Sequence, residues 1–161
     1  MYYVIFPVSI IISLTSCLKS TKELEQEEAA KIQNYLIANS SLNFDLKESG
    51  LYYLEVETGT GLPANTHDTA YVLYTAKFLD GTELDSNKGT DDTLIFPVDE
   101  GYIISGFDEG VTYMRVGGEA LLLIPSKLAY GSTGDYYTIP GYTPLLFNVE
   151  LVRVKQGPGK K

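Results

Sequence analysis

A loop rich in phenol, hydroxyl and carboxylate groups, AYGSTGDYYTIPG, runs from Ala129 to Gly141. Its tyrosines can donate hydrogen bonds to a carbonyl group, and its aspartate can accept them. Further carboxylates at Asp80, Glu83 and Asp85, and at the pair Asp91-Asp92, could serve as paired acids, although carboxylates on loops are more often simply solvated. A loop this long and this aromatic is costly to order, which raises the question of what it is arranged around.

The residue sets that serve common enzymes are absent from the sequence. It contains no G-x-S-x-G segment, no P-loop and no zinc-ligand spacing. One cysteine, Cys17, and one histidine, His67, cannot build a disulfide or a Cys/His metal cluster, and His67 lies in a turn-rich stretch. An enzyme of this composition is expected to use no nucleophile, metal or cofactor. The net charge of −9 also argues against nucleic-acid binding, which depends on clustered lysine and arginine.

One reaction class fits an enzyme without a nucleophile, metal or cofactor: rotation about an X-Pro peptide bond. The rotation breaks no sigma bond, and its barrier of about 18–20 kcal/mol comes from amide resonance. A site lowers the barrier by holding the proline ring in an apolar pocket, excluding water and hydrogen-bonding the twisted amide. Such a site needs aromatic and aliphatic walls with a few fixed donors, and the loops of this chain have that composition.

The first residues, MYYVIFPVSIIISLTSCL, carry no charge and are too short for a comfortable membrane-spanning helix. Their length and apolar character are typical of a secretory signal. Leu14-Thr15-Ser16-Cys17 is similar to a bacterial lipobox, in which the cysteine is lipid-modified and becomes the first residue of the mature chain. We therefore expect a signal peptide over residues 1–16, a lipid anchor at Cys17 and a location in the bacterial cell envelope. The alternative is a signal anchor in which Cys17 is an incidental small apolar residue.

The segment that follows predicts a helix from Lys22 to Ala38. Ser20-Thr21-Lys22-Glu23 fits a capping box, and the next residues are strong helix formers. Its apolar stripe is narrow, and consists of Leu24, Ala29, Ile32, Tyr35 and Leu36. Two interpretations stay open for residues 17–41: a spacer between the lipid anchor and the domain, or a helix that pairs two copies into a homodimer.

From Leu42 onward the hydrophobic period changes to two, which indicates strands. The predicted strands are a hairpin through Ser49-Gly50, then TAYVLYTAKF, TLIFPV, EALLLIP and PLLFNVELVRV. A single short helix is predicted where Phe107, Val111 and Met114 follow at spacings of four and three. The pattern predicts one α+β domain over residues 42–155, with the helix across one face of an antiparallel sheet, and a disordered tail over residues 156–161.

The order of these segments resembles the FKBP-type peptidyl-prolyl cis-trans isomerases. Four blocks carry the resemblance between about Ser49 and Lys155: SGLYYLEVETGTG, VLYTAKFLDGTELDS, IISGFDEGVTYMRVGGEALLLIPSKLAYGSTG and IPGYTPLLFNVEL. The family fold is an antiparallel half-barrel wrapped around one short helix, which agrees with the pattern above. The resemblance implies an isomerase acting on proline-containing polypeptides during the folding of envelope proteins.

The resemblance also implies roles for individual residues. It assigns Tyr130 as the hydroxyl donor to a substrate carbonyl, Asp85 as a carboxylate facing the substrate, and Ile104 as the residue whose backbone N–H binds a carbonyl. The implied walls and floor of the proline pocket are Tyr74, Leu84, Leu94, Ile103, Phe107, Ile139 and Phe147.

Several positions depart from the family pattern. Leu84 and Leu94 stand where many members have phenylalanine, and Phe107 stands where many have tryptophan. Asp135 and Thr138 replace a histidine and an isoleucine that occur in some members. The smaller walls predict a shallower pocket with weaker binding of macrolide inhibitors than of peptides. They also leave open a second function, a chaperone or assembly module that uses the same fold without catalysis.

Overall fold

A computed structural model describes residues 19–90 and 92–158. The predicted signal peptide, Cys17 and Asp91 lie outside the described residues, as does the end of the tail. No helix in the described part of the chain combines the length and the apolar character needed to cross a membrane.

Within residues 19–90 and 92–158, two α-helices and seven strands follow one another. The elements are α1 (Thr21–Ala38), β1 (Asp45–Leu46), β2 (Tyr52–Glu57), β3 (Thr69–Phe78), β4 (Glu83–Ser86), β5 (Leu94–Pro97), α2 (Ser105–Thr112), β6 (Glu119–Ile124) and β7 (Leu145–Lys155), with a 3-10 turn at Ser126–Leu128 between the last two strands. The strands form one antiparallel sheet in the order β1-β2-β6-β7-β3-β4, and β5 also pairs with β3. The predicted α+β fold with one helix against the sheet is confirmed.

The core lies between α2 and the sheet, because the strands alternate as their sequence pattern predicts. Along β7, Leu145, Phe147 and Val149 are buried in the core, and the residues between them are only partly covered. The ring of Phe147 contacts that of Phe107 in the helix. Gly106 and Gly110 of α2 allow the helix to approach β6 closely. A Cβ atom at these positions would lie 2.4 Å from Ile124 Cγ2 and 2.5 Å from Leu122 Cδ1, respectively. The two glycines therefore determine how closely the helix packs on the sheet.

Helix α1 begins with the predicted capping box. The Ser20 N–H donates to Glu23 Oε2 at 2.7 Å, and the Glu23 N–H donates to Ser20 Oγ at 3.3 Å. The predicted apolar stripe is wrong at one position, because Ala29 is exposed and the neighbouring Glu28 is buried together with Ile32. The Glu28 carboxylate can be buried because it accepts two hydrogen bonds from the domain. The helix therefore packs on its own domain, which neither the spacer nor the dimer interpretation predicts.

Two further details concern the ends of the domain. The first strand of the hairpin is only two residues long, and Leu46 within it is exposed. At the start of the tail, the Gly157 N–H donates to the carboxylate of Asp68 at 2.9 Å, and disorder of the tail as a whole stays a prediction. Because Asp68 is fully buried, this hydrogen bond holds the start of the tail against the domain.

Candidate active site

A cavity of about 650 Å³ opens between α2, the sheet and the loop that begins at Ala129. It brings together residues from distant parts of the chain, including β3, β4, β5, α2 and β7. All ten residues to which the family resemblance assigns a role line it: Tyr74, Leu84, Asp85, Leu94, Ile103, Ile104, Phe107, Tyr130, Ile139 and Phe147. The geometry thus places these residues around one space, whereas their individual roles stay predictions.

The floor of the cavity is aromatic. Phe107, at the start of α2, is only 2% exposed and is the most buried aromatic residue in the lining. Its ring meets those of Tyr74 and Phe147 edge to face, with centroid separations of 6.0 and 5.2 Å. Edge-to-face pairs of this kind are energetically favourable. The three rings therefore form a packed apolar surface at the base of the cavity.

A phenol and a carboxylate pair at one side of the cavity. The Tyr74 hydroxyl donates to Asp85 Oδ2 in a short hydrogen bond that joins β3 to β4. Burial, together with this hydrogen bond to Asp85, raises the pKa of Tyr74 to about 12. Tyr74 therefore stays protonated at neutral pH and keeps the exposed Asp85 carboxylate oriented at the rim.

Two hydrogen-bond donors also border the cavity. Burial raises the pKa of Tyr130 above its usual value, and the negative charges of Asp135 and Asp85 act in the same direction, so its hydroxyl keeps its proton. The Ile104 carbonyl accepts from Phe107 and Asp108 at the first turn of α2. Within residues 19–90 and 92–158, neither the Ile104 N–H nor the Tyr130 hydroxyl donates to another protein group. Both are available to carbonyl groups of a ligand.

Asp135 organises the loop that overhangs the cavity. Its Oδ1 accepts hydrogen bonds from the backbone N–H groups of Tyr137, Thr138 and Ile139 at 2.7–2.9 Å. These bonds hold the pKa of Asp135 below its usual value. They fix a turn that directs Ile139 into the cavity and leaves Tyr137 and its neighbour Tyr136 exposed at 96% and 82%. Asp135, which stands where some members of the resembled family have histidine, thus has a structural role in the loop.

Some lining residues were not predicted from the sequence: Ala76, Tyr102, Ser105, Ala129 and Leu145. Period-two alternation could have identified Ala76 and Leu145, which share a face of their strands with Tyr74 and Phe147. No such signal marks Tyr102, a loop residue that is 75% exposed at the cavity mouth. In the part of the chain that the structure describes, no group of three or more His, Cys, Asp or Glu side chains is placed to hold a metal ion.

Comparison with known proteins agrees with this geometry. The family model described as FKBP-type peptidyl-prolyl cis-trans isomerase matches residues 61–152. The FKBP-type isomerase FkpA of Aeromonas hydrophila is 37% identical over 131 residues, which cover 81% of this chain and 48% of that protein. The FKBP-type 22 kDa isomerase of Escherichia coli K12 is 38% identical over 131 residues, covering 80% of this chain and 62% of that protein. The chain therefore spans about half to two thirds of the length of these curated relatives.

Solved structures show the same fold. A crystal structure of a peptidyl-prolyl cis-trans isomerase from Pseudomonas syringae superposes with a TM-score of 0.72 at 26% identity, covering 86% of this chain and 98% of that one. FkpA from Escherichia coli gives a TM-score of 0.69 at 31% identity, covering 85% of this chain and 65% of that one.

Proposed function

The chain belongs to the FKBP-type peptidyl-prolyl cis-trans isomerase family, and from this premise we propose that it accelerates X-Pro isomerisation in polypeptide clients, during the folding of envelope proteins. The observation that carries the proposal is the cavity itself, in which an aromatic floor, aliphatic walls and two available donors surround one space. Its volume of about 650 Å³ lies in the usual range of ligand sites and leaves room for a proline ring and the two peptide groups that flank it.

The chemistry of the proposed reaction requires binding rather than bond cleavage. The proline ring rests on Phe107 between the aliphatic walls, and water that would stabilise the planar, polar amide is excluded. The Tyr130 hydroxyl and the Ile104 N–H bind carbonyl groups of the chain on either side of the rotating bond. The Asp85 carboxylate, held by Tyr74, faces the carbonyl carbon of the X-Pro amide as it turns out of the plane. Each contact lowers the rotational barrier only to the extent that it is stronger in the twisted transition state than in the planar ground state.

Removing the Tyr130 hydroxyl should weaken catalysis modestly. In Tyr130→Phe we expect kcat/KM for an X-Pro peptide to fall by up to about tenfold, because one hydrogen bond contributes about 1 kcal/mol. The control is Tyr136→Phe, which removes the same atom from a side chain that is 82% exposed. Equal activity of both variants and the wild type would show that the Tyr130 hydroxyl does not contact the substrate.

A second candidate function is polypeptide binding without turnover. Three tyrosines at or near the cavity, Tyr102, Tyr136 and Tyr137, are each at least 75% exposed. Exposed aromatic side chains of this kind favour contact with unfolded chains. The smaller walls at Leu84 and Leu94 support the same alternative, because they enclose a proline ring less tightly. They also support our expectation that macrolide inhibitors bind weakly.

We further propose that the protein is attached to a membrane of the bacterial envelope through lipid on Cys17. The support is the sequence Leu14-Thr15-Ser16-Cys17, which contains the only cysteine of the chain. Cells that express the wild type should incorporate a palmitate analogue into the protein, and Cys17→Ala should abolish this labelling. Equal labelling of the two proteins would remove the anchor from the proposal. Pairing of two copies through α1 stays a prediction.

A further inference from the structure

Helix α1 carries a buried carboxylate that the proposed mechanism does not use. Glu28 is 9% exposed and lies 98 residues away in sequence from its partner, Ser126. Its Oε1 accepts from the Ser126 N–H at 2.5 Å, and its Oε2 accepts from Ser126 Oγ at 2.7 Å. Within the described residues, no lysine, arginine or histidine forms an ion pair with Glu28. A buried carboxylate is costly unless it is hydrogen-bonded, so this two-point contact gives the helix one defined position on the domain.

Ser126 controls the backbone on both sides of Tyr130. It begins the 3-10 turn Ser126–Leu128, and its carbonyl oxygen accepts from the N–H groups of Ala129 and Gly131, both at 2.8 Å. These two donors are the immediate neighbours of Tyr130 in sequence. Ser126, which is hydrogen-bonded to Glu28, therefore also fixes the segment that presents the Tyr130 hydroxyl to the cavity.

The same helix lies beside the far end of the overhanging loop. Lys31, Asn34 and Tyr35 of α1 border a second cavity of about 690 Å³, whose opposite side includes Thr138 and Pro140. Ile139, between these two loop residues, lines the first cavity. The loop is thus a partition between the two cavities, and α1 borders the side that faces away from the proposed proline pocket.

We propose that Glu28 is a positioning residue for the isomerase site, and that α1 acts through Ser126 to hold the Tyr130 segment in the geometry that binds substrate. The inference rests on the proposed function, since it concerns the same cavity. On this proposal α1 contributes to isomerase activity, because the hydrogen bonds between Glu28 and Ser126 order the backbone next to Tyr130.

Two substitutions at Glu28 separate geometry from charge. Glu28→Gln removes the charge but can still accept from the Ser126 N–H and donate to Ser126 Oγ. Glu28→Asp keeps the charge but is one methylene too short to make both contacts. Glu25→Gln, at an exposed position of the same helix, is the matched control for a loss of charge.

The variants are compared as the proteins that the expressing cells produce, purified in mild detergent, which keeps a lipid anchor or an apolar leader in solution. Two readouts are measured well below thermal unfolding: kcat and KM for an X-Pro peptide, and amide hydrogen exchange of the segment from Ser126 to Gly131. We expect Glu28→Asp to lower kcat/KM about three- to tenfold, the range for loss of a hydrogen bond, and to speed exchange in this segment. Glu28→Gln and Glu25→Gln should stay within about twofold of the wild type in both readouts.

The exchange readout keeps this test separate from the test of catalysis. If the wild type is inactive, the proposed function fails, and local exchange alone decides whether Glu28 orders the Tyr130 segment. Faster exchange throughout the sheet in Glu28→Asp would indicate a general loss of stability. In that case Ser126→Ala, which removes only the hydrogen bond from Ser126 Oγ to Glu28, must still speed exchange at Gly131 for the proposal to hold. Unchanged exchange in the segment, or a Glu28→Gln variant as impaired as Glu28→Asp, would overturn the positioning role.

Discussion

Gly134→Ala should reduce isomerase activity at least about tenfold, because the overhanging loop has no room for a side chain at this position. A Cβ atom at Gly134 would lie 1.9 Å from the carbonyl oxygen of Ile139 and 2.8 Å from the carbonyl carbon of Pro140. Both contacts are with backbone, so relief requires the loop itself to move. Ile139 lines the cavity, and its displacement would open one wall of the proposed proline pocket.

Gly131→Ala is the matched control for this substitution. Gly131 has a φ of +67° and Gly134 a φ of +71°, so alanine is about equally strained at either position, at a cost of about 1–2 kcal/mol. A Cβ atom at Gly131, however, would meet no atom within 4 Å. The comparison of kcat/KM therefore isolates the steric effect on the loop. Similar activity of the two variants would contradict the claim that the closed loop is required for the reaction.

Phe107→Ala should both destabilise the domain and abolish the floor of the cavity. The ring is 2% exposed and packs edge to face against Phe147, Tyr74 and Phe96. Truncation of a buried phenylalanine costs about 3–5 kcal/mol, which is a large part of the stability of a domain of this size. Denaturant unfolding should show a lower midpoint, and catalysis should be lost even where the variant is fully folded.

Phe107→Leu provides the comparison that separates packing from substrate contact. It keeps most of the apolar volume and should lower the free energy of unfolding less than alanine does. It removes the flat aromatic surface on which the proline ring is proposed to rest, so its loss of activity should exceed its loss of stability. Wild-type activity in a folded Phe107→Leu variant would show that the ring is only a core residue.

The sequence predicted the fold well because its local signals agree with the tertiary structure. The capping box at Ser20 and Glu23 forms as expected, and the alternation along β7 matches its burial. The ten site residues that line one cavity could be predicted together because the family resemblance carries information on long-range contacts. Hydrophobic periodicity contains no such information. Without the resemblance, Phe107 and Phe147 could not have been distinguished from ordinary core residues.

The docking of α1 could not be predicted from the sequence. The prediction of an apolar stripe assumes that the buried residues of a helix are apolar, and it therefore includes Ala29 and leaves out Glu28. Burial of Glu28 depends on two donors of Ser126, which lie far away in sequence. Tyr102 was missed for a related reason, since an exposed loop residue becomes part of a site only through the folding of other segments. In both cases tertiary contacts determine where the residue lies, and the local sequence pattern carries no information about those contacts.

The most direct test of isomerase activity is the rate of cis/trans exchange of an X-Pro tetrapeptide, measured by NMR line shape. The uncatalysed reaction takes tens to hundreds of seconds at 25 °C, so even modest catalysis is readily detected. We predict that the wild-type protein accelerates exchange and that the Tyr130→Phe, Asp85→Ala double variant accelerates it much less. Exchange at the uncatalysed rate with the wild type would contradict the proposed function, and would favour the binding-module alternative.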